Sequence, residues 1–379
     1  MIKKIIIFLS IFFNTSTVST FETTAKQAYL IDVLSGKVLL KKNENEKISP
    51  ASITKIMTTI VAFDLIKKGE LKLNEKIRIS KKAWRMSSKG YSSMFIMPGD
   101  KVSVENLLKG IIIVSGNDAC LALAQGIAGT EEEFVNMMNS MAKKIGLPNT
   151  KFSNSSGLFN ENNYSTTEDI AKMSIYLINN FPKLYEYYKI KKFKWDRTGG
   201  APITQGNRNP ILYKDMGGDG LKTGHLEDSG YSLAATIKKD ERRIMSVISG
   251  LNSKNERSRE TVRLLSYAKN RFDLLKINKN DKNFYIKTWN LKPKKVQLSL
   301  ASNVYLTIPK RQKSKIKIVI EHQDKTLRNL VKVGQPISKL NIFFEDKLIK
   351  SETLYTTTKT QKENFFIRFI NSVSFFIWG

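Results

Sequence analysis

The sequence predicts an α+β chain, and three patterns carry that prediction. Strand-like runs follow the N-terminal segment and return beyond residue 218, with helical spacing between the two stretches. One sheet assembled from distant segments and flanked by helices is the architecture this order implies. From about Asn278, short alternating runs separated by turns mark a small all-β unit. A final segment, "KENFFIRFINSVSFFIWG", is apolar on nearly every side.

Taken in order, "MIKKIIIFLSIFFNTSTVST" places Lys3 and Lys4 before an apolar run from Ile5 to Phe13, then small polar residues. That run is too short to span a membrane and fits a secretory signal at residues 1–20, cleaved near Ser19 or Thr20; a buried N-terminal helix is the alternative. "AYLIDVLSGKVLLKK" reads as two strands about a turn at Ser35-Gly36. In "ISPASITKIM", Ile53, Ile56, Met57 and Ile60 recur at helical spacing, and Ser49-Pro50 suits an N-cap and first turn. The helix is expected to begin there, with Ser52 in its first turn and Lys55 on the same face.

"MFIMPGDKVS" turns at Pro98-Gly99-Asp100, and "VENLLKGIIIV" and "DACLALAQGIAG" read as helices broken by "SGN" at Ser115 to Asn117. "EEEFVNMMNSMAKKIGL" is a helix closed by Gly146. "DGLKTGH", "GYSLAATIKK" and "RRIMSVISG" are strands, the last two joined over Asp240-Glu241, and "NERSRETVRLLSYAKNRF" is a closing helix. The polar "KINKNDKN" is expected to be the linker to the β-rich unit, whose strands come from "KKVQLSLA", "VYLTI", "KIKIVI" and "KLNIFFEDKLIKSETLY".

The 379 residues leave room for two domains, and 41% hydrophobic with 26% charged residues is a globular composition. Sixty-three Lys+Arg against 34 Asp+Glu give +29, which raises nucleic acid or an anionic surface as a partner. The lysines are spread along the chain without a basic block, a zinc-finger spacing or an RNP-type aromatic motif, so nucleic acid is not expected. Cys120 is the only cysteine, which excludes an intramolecular disulfide and a cysteine-rich zinc site. It reads as a small buried helix residue. Only His225 and His322 carry imidazoles, so a metalloprotease His pair is absent and serine chemistry would use another base. Neither metal nor cofactor is expected.

The tail from Phe365 to Trp378 would rise about 21 Å as a helix, short of the roughly 30 Å hydrocarbon core. Its phenylalanines and terminal tryptophan suit a helix lying on a membrane surface; docking on the β domain is the alternative.

Ser-x-x-Lys starts at Ser52, Ser140, Ser266 and Ser314, so the motif alone is weak. Ser52 stands apart because Ser115 and Asn117 follow in a helix break, and Lys222, Thr223 and Gly224 follow on a predicted strand. Together these make the pattern of penicillin-binding proteins and class A β-lactamases. A serine hydroxyl is a poor nucleophile until a base takes its proton, and Lys55 is close enough to be that base once uncharged. Burial and a neighbouring cation would uncharge it, with Lys222 the candidate neighbour. Moving the amine from about 10.4 to about 7 takes on the order of 4–5 kcal/mol.

From these residues the chain resembles the low-molecular-mass penicillin-binding proteins that act as D-alanyl-D-alanine carboxypeptidases. The likeness extends to "MFIMPGDKVSVENLLKGIIIVSGNDACLALA", "GLPNTKFSNSSGL", "GNRNPIL" and "DGLKTGH", closely over Ala25 to Phe272 and more loosely beyond. It implies a β-lactamase-like catalytic domain at 21–275 with a five-stranded antiparallel sheet, a β-rich domain at 280–356, and an amphipathic anchoring helix at 362–379. It further implies that Ser52 attacks the carbonyl between two D-alanines, with the backbone N–H groups of Ser52 and His225 holding the oxyanion. Ser115 and Lys222 would relay a proton to the leaving amine, and Asn117 would hold the substrate backbone. Lys222 and Thr223, with Gly224 completing their motif, and Arg208 would receive the terminal carboxylate. Arg208 could instead only brace a loop, and the His225 imidazole could be incidental.

The implied partners are the peptidoglycan stem peptide ending in D-Ala-D-Ala, β-lactam antibiotics and the membrane surface. The implied setting is the periplasmic face of the bacterial cytoplasmic membrane, in cell-wall synthesis, remodelling and cell shape. Three rivals share some of these residues. A class A β-lactamase would need a deacylating glutamate, and "ENNYS" at Glu161 lacks the expected run. A D,D-endopeptidase cutting peptidoglycan cross-links differs only in the peptide cut. A non-catalytic envelope binder would be favoured by a broken motif.

Overall fold

The computed structural model describes residues 21–378 apart from Lys89, Gly199 and Lys325; the expected signal at residues 1–20 lies outside the described residues. The first hairpin, β1 (Gln27–Asp32) and β2 (Lys37–Lys42), turns at Ser35-Gly36. A 3-10 turn, Ala51–Thr54, leads into α1 (Lys55–Lys68). Next come β3 (Lys76–Arg78), α2 (Lys81–Arg85), β4 (Lys101–Ser103) and α3 (Val104–Lys109), which widens into a π turn over Gly110–Val114. The helices α4 (Asn117–Ala128), α5 (Glu131–Ile145), α6 (Thr167–Asn180) and α7 (Pro182–Tyr185) follow. A short hairpin, β5 (Lys192–Trp195) and β6 (Ile203–Gly206), precedes β7 (Gly218–Leu226), β8 (Gly230–Lys239), β9 (Arg242–Leu251) and α8 (Lys254–Arg271).

The main sheet is antiparallel with strand order β2-β1-β9-β8-β7, so β7 is an edge strand. Alternation along β8 decides its two faces: Leu233, Ala235 and Ile237 pack toward Leu264 and Leu265 of α8, while Ala234 faces the helical layer of α1, α4 and α6. One buried polar group pins the edge strand from behind. Arg243 of β9 makes two 2.8 Å bonds to Asp219 of β7 and a third, 3.0 Å, to Thr236 of β8, and Tyr185 donates to Asp219 at 3.1 Å. A buried bidentate pair of this kind fixes strand position more than it adds stability.

Two sequence expectations are corrected here. Ser49 does not cap the Ser52 helix: Pro50 is the flanking residue, without a side-chain cap bond, and Ala51 sits at φ +49°. Ser52 therefore lies in a 3-10 turn ahead of α1. The second concerns "KINKNDKN", whose first two residues are strand. β10 (Phe272–Ile277) starts directly after α8 and pairs along its whole length with β14 (Val304–Pro309).

The rest of the β-rich region comprises β11 (Tyr285–Lys287), β12 (Leu291–Lys292), β13 (Lys295–Leu300), β15 (Ile316–Glu321), β16 (Pro336–Phe344), β17 (Lys347–Thr356) and β18 (Gln361–Lys362). Its five-stranded sheet runs β11-β13-β17-β16-β15 and closes its own core around Val296, Leu298, Leu340, Ile342 and Leu354. Where the two units meet, Ser35 bonds Thr307 at 2.6 Å, Arg242 donates to Phe272 O at 2.7 Å, and Lys276 pairs with Glu241 at 2.8 Å.

The chain ends in α9 (Phe365–Trp378). Polar pins fasten it: Glu363, buried, pairs with Lys292 and Lys294 at 3.3 and 3.2 Å, and Asn371 donates to Asn290 at 2.8 Å. No helix among the described residues is long and apolar enough to cross a membrane.

Candidate active site

The site forms where the 3-10 turn, the break before α4 and the edge strand β7 converge. Lys55, buried at the start of α1, places its amine 3.0 Å from Ser52 Oγ, 2.7 Å from Asn117 Oδ1 and 2.6 Å from Ser156 O. An ammonium can donate to all three. A neutral amine donates to the two nearer oxygens, which can only accept, and keeps its lone pair for the Ser52 hydroxyl. The contacts thus orient the amine toward Ser52 in the uncharged state.

Ser115 adopts the left-handed conformation at φ +67°, a strained state for a residue with a side chain. The turn it makes lets α4 restart with Asn117, and it aims Ser115 Oγ at Lys222 Nζ, 2.9 Å away. Lys222 and Thr223 are buried on β7. Gly224 allows the strand to lie against the 3-10 turn, since a Cβ there would stand 2.9 Å from Pro50 O and 3.3 Å from Ala51 Cβ. The exposed His225 ring stacks on Tyr231 with centroids 3.9 Å apart. Arg208, from the loop after β6, reaches Ser92 Oγ at 2.5 Å, and the Asn117 N–H donates to Ser92 O at 2.8 Å.

A cleft of about 740 Å³ opens onto this group, bounded by Ser52, Asn117 and His225 among others, with the exposed rings of Tyr91 and Phe159 on its walls. Among the described residues no cluster of His, Cys, Asp or Glu could hold a metal ion.

Charge in the site follows from burial. The Lys55 amine is lowered to about 8, first by desolvation and then by the Arg208 cation, against the raising effect of Cys120 and the Asp118 carboxylate. Lys222 is held well below the ordinary lysine value by burial and then by Lys55 and Arg208. The coupling expected from the sequence between Lys55 and Lys222 is present, since each buried amine disfavours a proton on the other, and Arg208 adds a second cation that bears on both. His225 is also lowered, by partial burial, then Arg257 and Lys254.

The family described as D-alanyl-D-alanine carboxypeptidase matches residues 14–253. The chain belongs to the D-alanyl-D-alanine carboxypeptidase family. Its members are serine hydrolases, and residues 272–362 match the C-terminal domain of penicillin-binding protein 5. The carboxypeptidase DacC of Escherichia coli is 35% identical over 357 residues, 93% of this chain and 88% of that protein. The crystal structure of penicillin binding protein 5 from Haemophilus influenzae superposes with a TM-score of 0.80 at 32% identity, covering 91% of this chain and 100% of that one. A penicillin-binding protein of Listeria monocytogenes, solved in its ampicillin-bound form, matches 65% of this chain and 97% of its own at 26% identity and a TM-score of 0.58.

Some of this carboxypeptidase's cleft residues were legible only as family-like text. Within "NSSGL", Asn154 Oδ1 accepts from the N–H groups of Ser156, Gly157 and Leu158 at 3.2, 2.7 and 3.1 Å, and Ser155 donates to Glu131 at 2.6 Å. That network presents Ser156 O to Lys55. Asp118, the residue after the second motif, is fully buried and organises the opposite wall. Arg257, buried on α8 and 5.7 Å from the Tyr231 ring centre, adds a cation behind His225. Single positions like these carry no sequence period, so only the family likeness of the surrounding text points to Asn154 and Asp118, and nothing points to Arg257.

Gly157 makes a direct test of the carboxypeptidase's local geometry. At φ +79° a Cβ would fall 1.8 Å from Ala51 O and 2.8 Å from Thr54 Oγ1. Gly157→Ala is expected to destabilise the domain by about 3 kcal/mol and to lower its thermal midpoint by roughly 6–12 °C in a melting scan. An unchanged midpoint would mean the loop does not rest on the Ser52 turn.

Proposed function

We propose that Ser52 is the nucleophile of this D-alanyl-D-alanine carboxypeptidase and Lys55 its base. The observation that carries the proposal is the Lys55 amine 3.0 Å from Ser52 Oγ, with two closer acceptors taking its N–H groups. The Ser52 proton passes to Lys55 as its oxygen bonds the carbonyl carbon between the two D-alanines. The backbone N–H groups of Ser52 and His225 receive the oxyanion. As the tetrahedral species collapses, Ser115 hands a proton to the departing D-alanine nitrogen and is resupplied through Lys222, 2.9 Å away. Water then adds to the Ser52 ester carbonyl, its proton passing to the Lys222–Ser115 pair. The Ser52 oxygen leaves with the proton held by Lys55, giving a shortened peptide with a free carboxyl group and both lysines as they began. Thr223, Lys222 and Arg208 suit the terminal carboxylate, and Asn117 Nδ2, free of the Lys55 contact made by Oδ1, suits a substrate carbonyl.

The same reading assigns peptidoglycan stem peptides as substrate and β-lactams as acylating inhibitors. It places the protein, after removal of residues 1–20, on the periplasmic face of the cytoplasmic membrane in wall synthesis and cell shape. The expected bounds of 21–275 and 280–356 are redrawn in this reading as 21–271 for the catalytic unit and 272–362 for the β-rich unit, because β10 pairs with β14. For α9 the exposed Phe365, Phe366, Phe369, Ile370 and Phe376 support attachment to a membrane surface.

Two measurements test the proposal together. Protein lacking residues 1–20 should release D-alanine from a peptide ending in D-Ala-D-Ala. Penicillin should leave its mass on the proteolytic fragment that contains Ser52. A label on any other serine would overturn the assignment.

A further inference from the structure

The sheet of the β-rich unit ends in a strand that nothing among the described residues covers. β15 is bonded to β16 on one side only, and Lys317, Ile318, Val319 and Glu321 are exposed. Edge strands expose unpaired N–H and C=O groups and are ready templates for another strand. This one is also apolar: Ile318 is 43% and Val319 36% exposed on opposite faces, and Leu348, across Phe343 from Lys317, is 49% exposed.

We infer that β15 is a self-association edge, pairing antiparallel with β15 of a second copy about a two-fold axis through Val319. Symmetry and the pleat restrict the choice. A two-fold axis perpendicular to the sheet keeps each residue on its own face, so the axis must pass through a residue and not between two. Through Val319, Lys317 lies opposite Glu321 of the second copy, and Glu321 opposite its Lys317, all on one face. On the other face Ile318 meets Ile320 of the second copy, covering the half-open edge of the core. Both kinds of cross-strand pair are favourable, whereas a strand of unrelated sequence would meet neither. Within the chain Glu321 accepts from Asn341 Nδ2 at 2.7 Å and faces Lys339 across the β15–β16 pair, so the Lys317 contact adds to these, while Lys315 at the other end of β15 is paired with Glu345 at 2.7 Å.

Pairing of two six-residue strands gives a contact smaller than the roughly 1,200–2,000 Å² of stable interfaces, so the dimer is weak and is best caught covalently. The experiment uses the full chain in detergent micelles with Val319→Cys, since the native Cys120 is buried. On the axis the two introduced thiols face one another, and diamide should oxidise them to a disulfide-linked dimer.

Lys317→Glu or Glu321→Lys added to Val319→Cys sets like charges together twice, and the dimer yield should fall about tenfold. The double exchange restores opposite charges and should restore the yield, as should mixing the two single-exchange chains. A loss caused by misfolding would not be repaired by mixing. Three results would overturn the inference: no dimer at Val319→Cys, a yield indifferent to charge, or equal yield from Lys347→Cys, which would indicate crowding in the micelle.

Discussion

Ser52→Ala and Lys55→Ala should each lower D-alanine release by about 10⁴-fold, and the double variant should be no worse than either. The two side chains make one bond that matters, the 3.0 Å contact through which a proton leaves the hydroxyl, so removing either end removes the same step. Release assays on the three variants check this; additive losses would separate the roles of the two residues. The pH profile of wild type should report the same amine. Lys55 titrates at about 8, so below that pH the basic fraction falls tenfold per unit and acylation should fall with it.

Stability runs the same way. An amine at about 8 in the fold and near 10.5 when unfolded gives the unfolded chain the larger proton uptake between those values. Stability therefore increases as pH rises through that window, by roughly 3 kcal/mol for this group, and below pH 8 the full cost of burying it is present.

Asp118→Ala should be the most damaging substitution outside the reacting pair. Its carboxylate accepts from Ser87 Oγ at 2.9 Å and Ser93 Oγ at 2.7 Å, and from the N–H groups of Met94, Phe95 and Ile96 at 2.9, 2.9 and 3.3 Å. Removing it strands those donors in a buried place, which costs about 4 kcal/mol and a drop of roughly 8–16 °C in the melting midpoint. Ser92 precedes this knot and holds both Arg208 and the Asn117 N–H, so penicillin acylation should fail as well. Asp118→Asn keeps the shape but not the charge. With the anion gone, Lys55 loses a neighbour that raises it, and the alkaline rise in activity should move to lower pH. A variant that melts like wild type would refute the wall-building role.

The parts of this molecule that were readable from its text are those with a period or a motif. β7, β8 and β9 stand out as short runs bounded by turn residues, and Ser52, Lys55, Ser115, Asn117 and Lys222 sit at spacings that a known chemistry needs; the structure joins Lys55 to Ser52 and Asn117, and Lys222 to Ser115, beside one cleft. What stayed hidden depends on distant backbone. Ala51 takes a left-handed turn and leaves Ser52 in a 3-10 segment, where propensity alone favours a regular helix start. β10 follows a helix without a break, so its alternation over Phe272–Ile277 merges with the polar run behind it. Arg208 stood out only through the family likeness of "GNRNP", and its effect on Lys55 depends on a three-dimensional neighbourhood that spacing does not encode.

The pins on α9 carry a mechanical meaning. Glu363 and Asn371 clamp the helix to the β-rich unit, and Ser35, Arg242 and Lys276 clamp that unit to the catalytic one. If these contacts hold in solution, orientation would be passed along them from tail to cleft. An enzyme resting on α9 would behave as a stiff arm of set length, not as a tethered float. Its mouth would sweep one narrow layer above the surface it stands on, and substrate ends outside that layer would escape trimming however abundant they were.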